Sequence, residues 1–217
     1  VTIDSITDDS GVAGDFITND NNGLTVGATL SAALAAGEVL MYSNDNGATW
    51  TDITTSVTGT AVSHADAGLT STTTVQMRVE DALGNAGAVA SQLVTIDAAA
   101  PAVTFTDLTT SDTTPALTGT VDDPTATVVV TVDGIDYTAT NNGDGTWTLV
   151  DDTLPVQPEG SATVTVTATD LAGNTGTDTG NLTIDTTAPG TTVTIDSITD
   201  DSGVAGDFIT NDNNGLT

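Results

Sequence analysis

Ala162-Thr-Val-Thr-Val-Thr-Ala-Thr169 alternates apolar residues with threonine at a period of two, and the turn-forming run Asp170-Leu-Ala-Gly-Asn174 follows at once. Successive side chains of a β-strand point to opposite faces, so this run packs its alanines and valines and leaves its threonines in water. Asp, Gly and Asn then supply the turn that ends the strand. The same reading covers Val75, Met77 and Val79, which alternate with Gln76, Arg78 and Glu80, and it covers Val128, Val130 and Val132. Asp45-Asn46-Gly47 and Asp133-Gly134 carry the residues that tight hairpins demand. Trp50 and Trp147 each follow a glycine-containing turn and are expected to fill a core. Short strands at regular spacing, punctuated by Gly, Asn and Asp, predict an all-β chain of immunoglobulin-like sandwiches.

Repetition sets the number of sandwiches. Val1 to Thr25 recur unchanged as Val193 to Thr217, so the chain reads as part of a tandem array with a 192-residue period. A weaker repeat lies inside the period. Asp81-Ala-Leu-Gly-Asn85 returns as Asp170-Leu-Ala-Gly-Asn174, Ile96-Asp97-Ala-Ala-Ala-Pro101 as Ile184-Asp185-Thr-Thr-Ala-Pro189, and Asn46-Gly-Ala-Thr-Trp50 as Gly143-Asp-Gly-Thr-Trp147. These pairs lie 89, 88 and 97 residues apart, a spacing that suits one sandwich each. The expected organisation is two tandem immunoglobulin-like domains, residues 1–98 and 99–189, with residues 190–217 as the N-terminal stub of a third. The stub holds too few strands for a core and is expected to be disordered unless it docks on a neighbouring chain.

Charge narrows the function. The chain has 30 acidic residues against one basic residue, Arg78, for a net charge of -29. Such a surface repels nucleic acid and anionic membranes, and it repels itself when compact. The 37% apolar content and the strand patterning oppose simple disorder. With no Lys, ion pairs cannot neutralise the acids, whereas hard divalent cations that prefer carboxylate oxygen can, Ca2+ foremost. The absence of Cys removes disulfides and thiolate zinc sites, which leaves metal ions as the available staple. No apolar run approaches the ~20 residues needed to span a bilayer.

Topology says where the acids should meet. With strands lettered A to G, the BC and FG loops of a sandwich lie at the pole facing the incoming linker. In the second domain the FG loop carries Asp170 and Asn174, the BC loop carries Asp122 and Asp123, and the linker carries Asp97. Several carboxylates side by side without a cation would have their pKa values driven upward, and a Ca2+ ion removes that conflict. Each Asp or Asn is also a turn former in its own right. The equivalent set in the first domain is Glu38 and Asp81, and Asp185 is the linker residue for the next domain. A second acidic concentration, Asp8-Asp-Ser-Gly-Val-Ala-Gly-Asp-Phe-Ile-Thr-Asn-Asp20, is expected between strands A and B of the first domain. Asp9, Asp15 and Asp20 are its candidate ligands, and Phe16 and Ile17 should pin it to the sandwich. Its spacing is not that of an EF-hand. The stub repeats it with Asp201, Asp207 and Asp212.

The ordered set Ile-Asp-x-x-Ala-Pro, Asp-x-x-Gly-Asn and Thr-Asp-Asp-Ser-Gly-x-x-x-Gly-Asp-Phe-Ile-Thr-Asn-Asp resembles the bacterial Ig-like domains of giant RTX-type and biofilm-associated adhesins. The resemblance covers both domains and the stub. It implies an extracellular, bacterial cell-surface extender stiffened by Ca2+, which holds a distal adhesive domain away from the cell as a monomeric rod. The partners so implied are neighbouring repeats of the same chain, with no nucleic acid and no membrane insertion. A recognition module that binds a receptor, a glycan or another adhesin copy through Ca2+ is the alternative.

Catalysis finds little footing. The one histidine, His64, has Ser63 and Asp66 as sequence neighbours, and near neighbours rarely form a triad. Seven aromatic residues make a poor sugar cleft, and no glycine-rich phosphate loop links a strand to a helix.

Overall fold

A computed structural model describes residues 1–199, 201–202, 204–211 and 213 of the chain. Val1–Asp185 form one compact unit and Thr186–Thr217 another. The first unit is all-β, as the alternation predicts, and its buried side chains fall in two sets.

The first set lies between the strands β1 (Thr2–Ile6), β2 (Ile17–Thr18), β3 (Leu24–Thr29), β4 (Val39–Ser43), β5 (Thr51–Asp52), β6 (Val57–Thr58), β7 (Ala61–Asp66), β8 (Thr73–Glu80) and β9 (Ala90–Ile96). A single 3-10 turn, Thr54–Ser56, links β5 to β6. The strands form two sheets, ordered β1-β3-β7-β6 and β2-β9-β8-β4-β5. Leu24, Val26, Leu40, Val75, Met77 and Val94 seal the space between them.

The second set is enclosed by β10 (Val103–Phe105), β11 (Leu108–Thr110), β12 (Leu117–Val121), β13 (Thr127–Val132), β14 (Ile135–Asn141), β15 (Thr146–Leu149), β16 (Gly160–Thr169) and β17 (Thr175–Ile184). Their hydrogen-bonded order is β10-β12-β15-β14-β13-β16-β17-β11. β14 joins the two layers, since Ile135 to Ala139 pair with β13 while Thr140 and Asn141 pair with β15. The β13–β14 hairpin turns at Asp133 and Gly134, whose φ angles of 51° and 77° are those of a type I′ turn. In β16, Val164, Val166 and Ala168 are buried and Thr163, Thr165 and Thr167 face outward, following the period of two.

The tryptophans part company. Trp147, in β15, is fully buried and donates its Nε1–H to the Thr104 carbonyl at 3.0 Å. Trp50, expected in the other core, is only partly buried and belongs to neither core set. It lies on the outer sheet face beneath the Arg78 guanidinium, 3.9 Å from the ring centre, and its Nε1–H goes to Gly47 O. Arg78 also pairs with Glu80 at 2.7 Å.

In both sandwiches the first strand changes sheets. β1 pairs with β3 and β10 with β12, whereas β2 runs parallel to β9 and β11 parallel to β17. The acidic loop therefore lies within the split first strand, between β1 and β2, and not between strands A and B as expected. The second sandwich makes the same crossover with only Thr106 and Asp107.

In the unit Thr186–Thr217 the described residues form no strand. The disorder expected of the stub falls in part on residues 200, 203, 212 and 214–217, which lie outside the described ones.

Candidate metal centre

Asp97 directly follows β9, Asp122 and Asp123 follow β12, and Asp170 follows β16. All four line one polar cavity of about 240 Å³, together with Ala99, Ala100 and Pro101. The linker is stitched to the β12–β13 loop by a reciprocal pair: Ala102 N–H donates to Asp122 Oδ1 at 2.7 Å, and Asp122 N–H donates to Ala102 O at 3.1 Å. Asp97 Oδ1 accepts from Ala99 N–H at 3.0 Å, and Asp123 Oδ1 from Thr125 N–H at 2.7 Å. Asn174 braces Asp170 and the linker from behind. Its backbone and side-chain N–H groups donate to Asp170 Oδ1 and Oδ2, each at 2.8 Å, and its side chain also reaches Asp97 O at 2.8 Å.

These carboxylates share a cavity without forming a coordination shell. Among the described residues, no three Asp, Glu, His or Cys side chains stand close enough together to hold a metal ion. The donor set is nonetheless all oxygen, acidic and partly open, which is the chemistry that suits Ca2+.

The acidic loop is built from its own side chains. Asp9 Oδ2 accepts from Gly14 N–H at 2.6 Å, Asp15 Oδ1 from Ile17 N–H at 2.9 Å, and Asp20 Oδ1 from Asn22 N–H at 2.9 Å. Ser10 Oγ accepts from Asn19 N–H at 2.8 Å, and Thr18 Oγ1 donates to Asp8 O. Phe16, at a φ of 62°, is buried and anchors the loop as expected, while Ile17 is half-buried in β2. Asp9 Oδ1 is sealed from solvent and has no hydrogen-bond partner, and Asp201 Oδ1 in the repeated loop shares that condition. A buried, unpaired carboxylate oxygen is costly, and a bound cation is one way to satisfy it. Asp9, Asp15 and Asp20 are not gathered round one point.

The remaining candidates are more scattered. Glu38 Oε2 accepts from Ala35 N–H at 2.8 Å and lines a separate cavity with Val1, Leu30 and Val79. Asp81 does not line that cavity. Side-chain and backbone donation from Asn85, with lesser help from Leu83 and Gly84, holds its carboxyl below the usual range. Asp185 N–H donates to Thr110 O at 2.9 Å, repeating the Asp97 N–H to Thr18 O bond of the first sandwich. In the unit Thr186–Thr217, Asp201 and Asp207 each accept a loop N–H, and Asp212 lies outside the described residues.

One polar cluster escaped the sequence reading. Tyr42 O–H and Asn44 Nδ2 both donate to Asp66 Oδ2, at 3.0 and 2.8 Å, and the His64 ring packs on Tyr42 at 4.7 Å. Burial, then the nearby Asp66 charge, pushes the Tyr42 phenol well above its ordinary range. His64 and Asp66 fall on one face of β7 by the period of two, but their approach to Tyr42 spans both sheets and no local motif announces it.

Comparison with known proteins places the second sandwich first. The sequence profile of the bacterial Ig-like domain matches residues 102–186. No curated protein matches the chain. Among solved structures, the tetra-tandem repeat in the extending region of a large adhesion protein is 24% identical, over 79% of this chain and 48% of that one, with a TM-score of 0.39. A Ca2+-stabilized adhesin that helps an Antarctic bacterium reach out and bind ice is 22% identical, over 85% and 48%, with a TM-score of 0.37. Fibronectin(III)-like modules from Clostridium thermocellum are 15% identical, over 82% and 93%, with a TM-score of 0.46. The chain thus spans 48% of the length of each of the two adhesin structures. Among the described residues no helix is long and apolar enough to cross a membrane.

Proposed function

We propose that this chain is an extender segment of a bacterial cell-surface adhesin, of the RTX-type or biofilm-associated kind, whose domain junctions are stiffened by Ca2+. The observation that carries the reading is the meeting of Asp97, Asp122, Asp123 and Asp170 around one cavity where the linker joins the second sandwich. Ca2+ would supply positive charge there that the chain's single arginine, engaged with Glu80 and Trp50 elsewhere, does not. Linker, β12–β13 loop and β16–β17 loop each contribute an acid, so a shared cation would tie all three together. Asp9, with one oxygen already sealed and unpaired, is the candidate ligand in the acidic loop. Without a cation, the like charges repel and the junction loosens. Near-identical repetition supports an extender, because length grows with copy number while each copy contacts only its neighbours.

Small-angle scattering with calcium and with chelator tests the reading, with calorimetric titration alongside for stoichiometry. Calcium is expected to lengthen the particle, and Asp97→Ala or Asp170→Ala is expected to abolish that response without unfolding either sandwich. An unchanged maximum dimension, or a titration with no heat of binding, would refute it.

A further inference from the structure

The acidic loop does more than carry carboxylates, because it reaches the next domain. Ser10 O–H donates to Ala172 O at 2.6 Å, across 162 residues of sequence. Gly11, at a φ of 76°, lies directly against Leu171 O, where any Cβ would overlap the carbonyl. Gly173 returns the approach, since a Cβ there would stand 3.2 Å from Gly11 N. Two glycine backbones thus meet face to face, and Ser10 is fixed for the contact by Asn19 N–H.

Ala172, the third residue of Asp170-Leu-Ala-Gly-Asn174, is 1% exposed beside this contact.

The loop is also preformed. In the repeated copy, Gly206 N–H donates to Asp201 Oδ2 at 2.7 Å, Ile209 N–H to Asp207 Oδ1 at 3.0 Å, and Asn211 N–H to Ser202 Oγ at 3.0 Å. These reproduce the bonds of Asp9, Asp15 and Ser10, and Phe208 takes a φ of 58° as Phe16 takes 62°. The conformation is therefore written in the loop itself, so docking orders little that is not already ordered.

We infer that the loop Asp8–Asp20 is a clasp whose partner is the Asp-Leu-Ala-Gly-Asn turn of the following domain, and that only alternate junctions of the array carry it. The other kind of junction, where a second-type domain precedes a first-type one, lacks the loop. The second sandwich makes its crossover with Thr106 and Asp107 alone, and Asp107 Oδ1 is already engaged by Asn181 N–H at 2.7 Å. The first-type turn carries Leu83 at the position of Ala172. The array is then a series of clasped pairs joined by unclasped linkers. This contact is made by backbone and hydroxyl groups, so it goes beyond the calcium reading and does not depend on it.

The test keeps the whole chain and removes calcium with chelator. Because the protein has no cysteine, Ala65→Cys and Thr163→Cys place one spin label on each sandwich, both at exposed strand positions. Pulsed dipolar spectroscopy then reads the spread of interdomain distances. In chelator G11A and A172L are expected to give a distribution severalfold broader than that of the parent chain, whose junction lacks only the metal, with both sandwiches still melting as in the parent. A172L leaves the clasp sequence intact, so it separates loss of docking from distortion of the loop. Equal widths for parent and variants in chelator would overturn the clasp. If calcium narrows the variants, metal closes the junction by its own route; if calcium changes nothing while the variants still broaden, the calcium reading falls and the clasp stands. In a chain extended by one more complete domain, labels across the Asp185–Val193 linker should give the broad distribution with no variant at all, and an equally narrow one there would overturn the alternation.

Discussion

Replacing Asp9 by asparagine is expected to change sign with calcium. In the chain without metal, Asp9 Oδ2 accepts from Gly14 N–H while Oδ1 is buried and unpaired. An unsatisfied buried polar group costs about 1–3 kcal/mol, and more when it is charged. Asparagine keeps a carbonyl oxygen for Gly14 N–H and puts a neutral amide where the unpaired charge stood. In chelator the D9N variant should therefore match or exceed the parent, by about 1 kcal/mol, which is roughly 4–8 °C in the melting temperature of a domain this size. In calcium the comparison reverses. An ion that binds only the folded state adds about 2.7 kcal/mol at 100 times its dissociation constant, and an amide in place of a carboxylate forfeits most of that gain. Scanning calorimetry of the full chain, with and without calcium, reads both halves. A variant that melts lower than the parent by the same amount in both conditions would refute the reasoning, because it would mean that Asp9 acts only through the Gly14 hydrogen bond.

Two further outcomes follow from the cores and from pH. Trp147→Ala removes a fully buried ring and should cost about 3–5 kcal/mol, while Trp50→Ala removes a partly buried ring under Arg78 and should cost about 1 kcal/mol, both read by urea unfolding; equal costs would contradict the placement of Trp50. Burial holds the His64 imidazole below its ordinary 6.5, with Asp66 opposing, so the unfolded chain takes up the proton first. Stability in chelator should be full above about pH 7 and decline as pH falls through 6.5 toward the lower folded value, and His64→Gln should flatten that segment of the melting profile; a parent profile already flat between pH 7 and pH 5 would contradict the burial of His64.

The strands were legible because alternation is a local signal. Val164, Val166 and Ala168 are buried beside outward threonines as their spacing predicts. Trp50 was misread because a glycine-containing turn followed by Thr-Trp occurs in both domains while the surroundings differ. Trp147 sits in a strand paired on both sides, with β12 and with β14. Trp50 precedes a two-residue edge strand, β5, which carries no neighbour beyond β4. A signal was present: Arg78 alternates with the buried Met77 and so must face outward, and a lone cation on an acidic surface seeks an aromatic face as well as an acid. The crossover within the first strand was hidden, because β2 is two residues long and pairs with a strand more than seventy residues later. The clasp was hidden for the same reason, since nothing in the loop names a partner 162 residues away.

The carboxylates show why counting acids cannot locate a metal. Asp15, Asp20, Asp52, Asp66, Asp81, Asp97, Asp112, Asp123 and Asp144 each accept, through Oδ1, the N–H of the residue two places on. Each is a turn former, as its residue type predicts. That role uses one oxygen and leaves the other, so forming a turn and holding a cation are compatible in the same side chain. What separates a candidate ligand from an ordinary turn is convergence. Asp97 and Asp123 turn their loops beside Asp122 and Asp170 around a common space. Asp170 differs again, because Asn174 engages both of its oxygens. It would join a cation only through its remaining lone pairs, so Asn174 governs how far that carboxylate can lean into the cavity. The carboxylates of this chain thus serve turns first, and the candidate site is the place where the fold brings separate turns together.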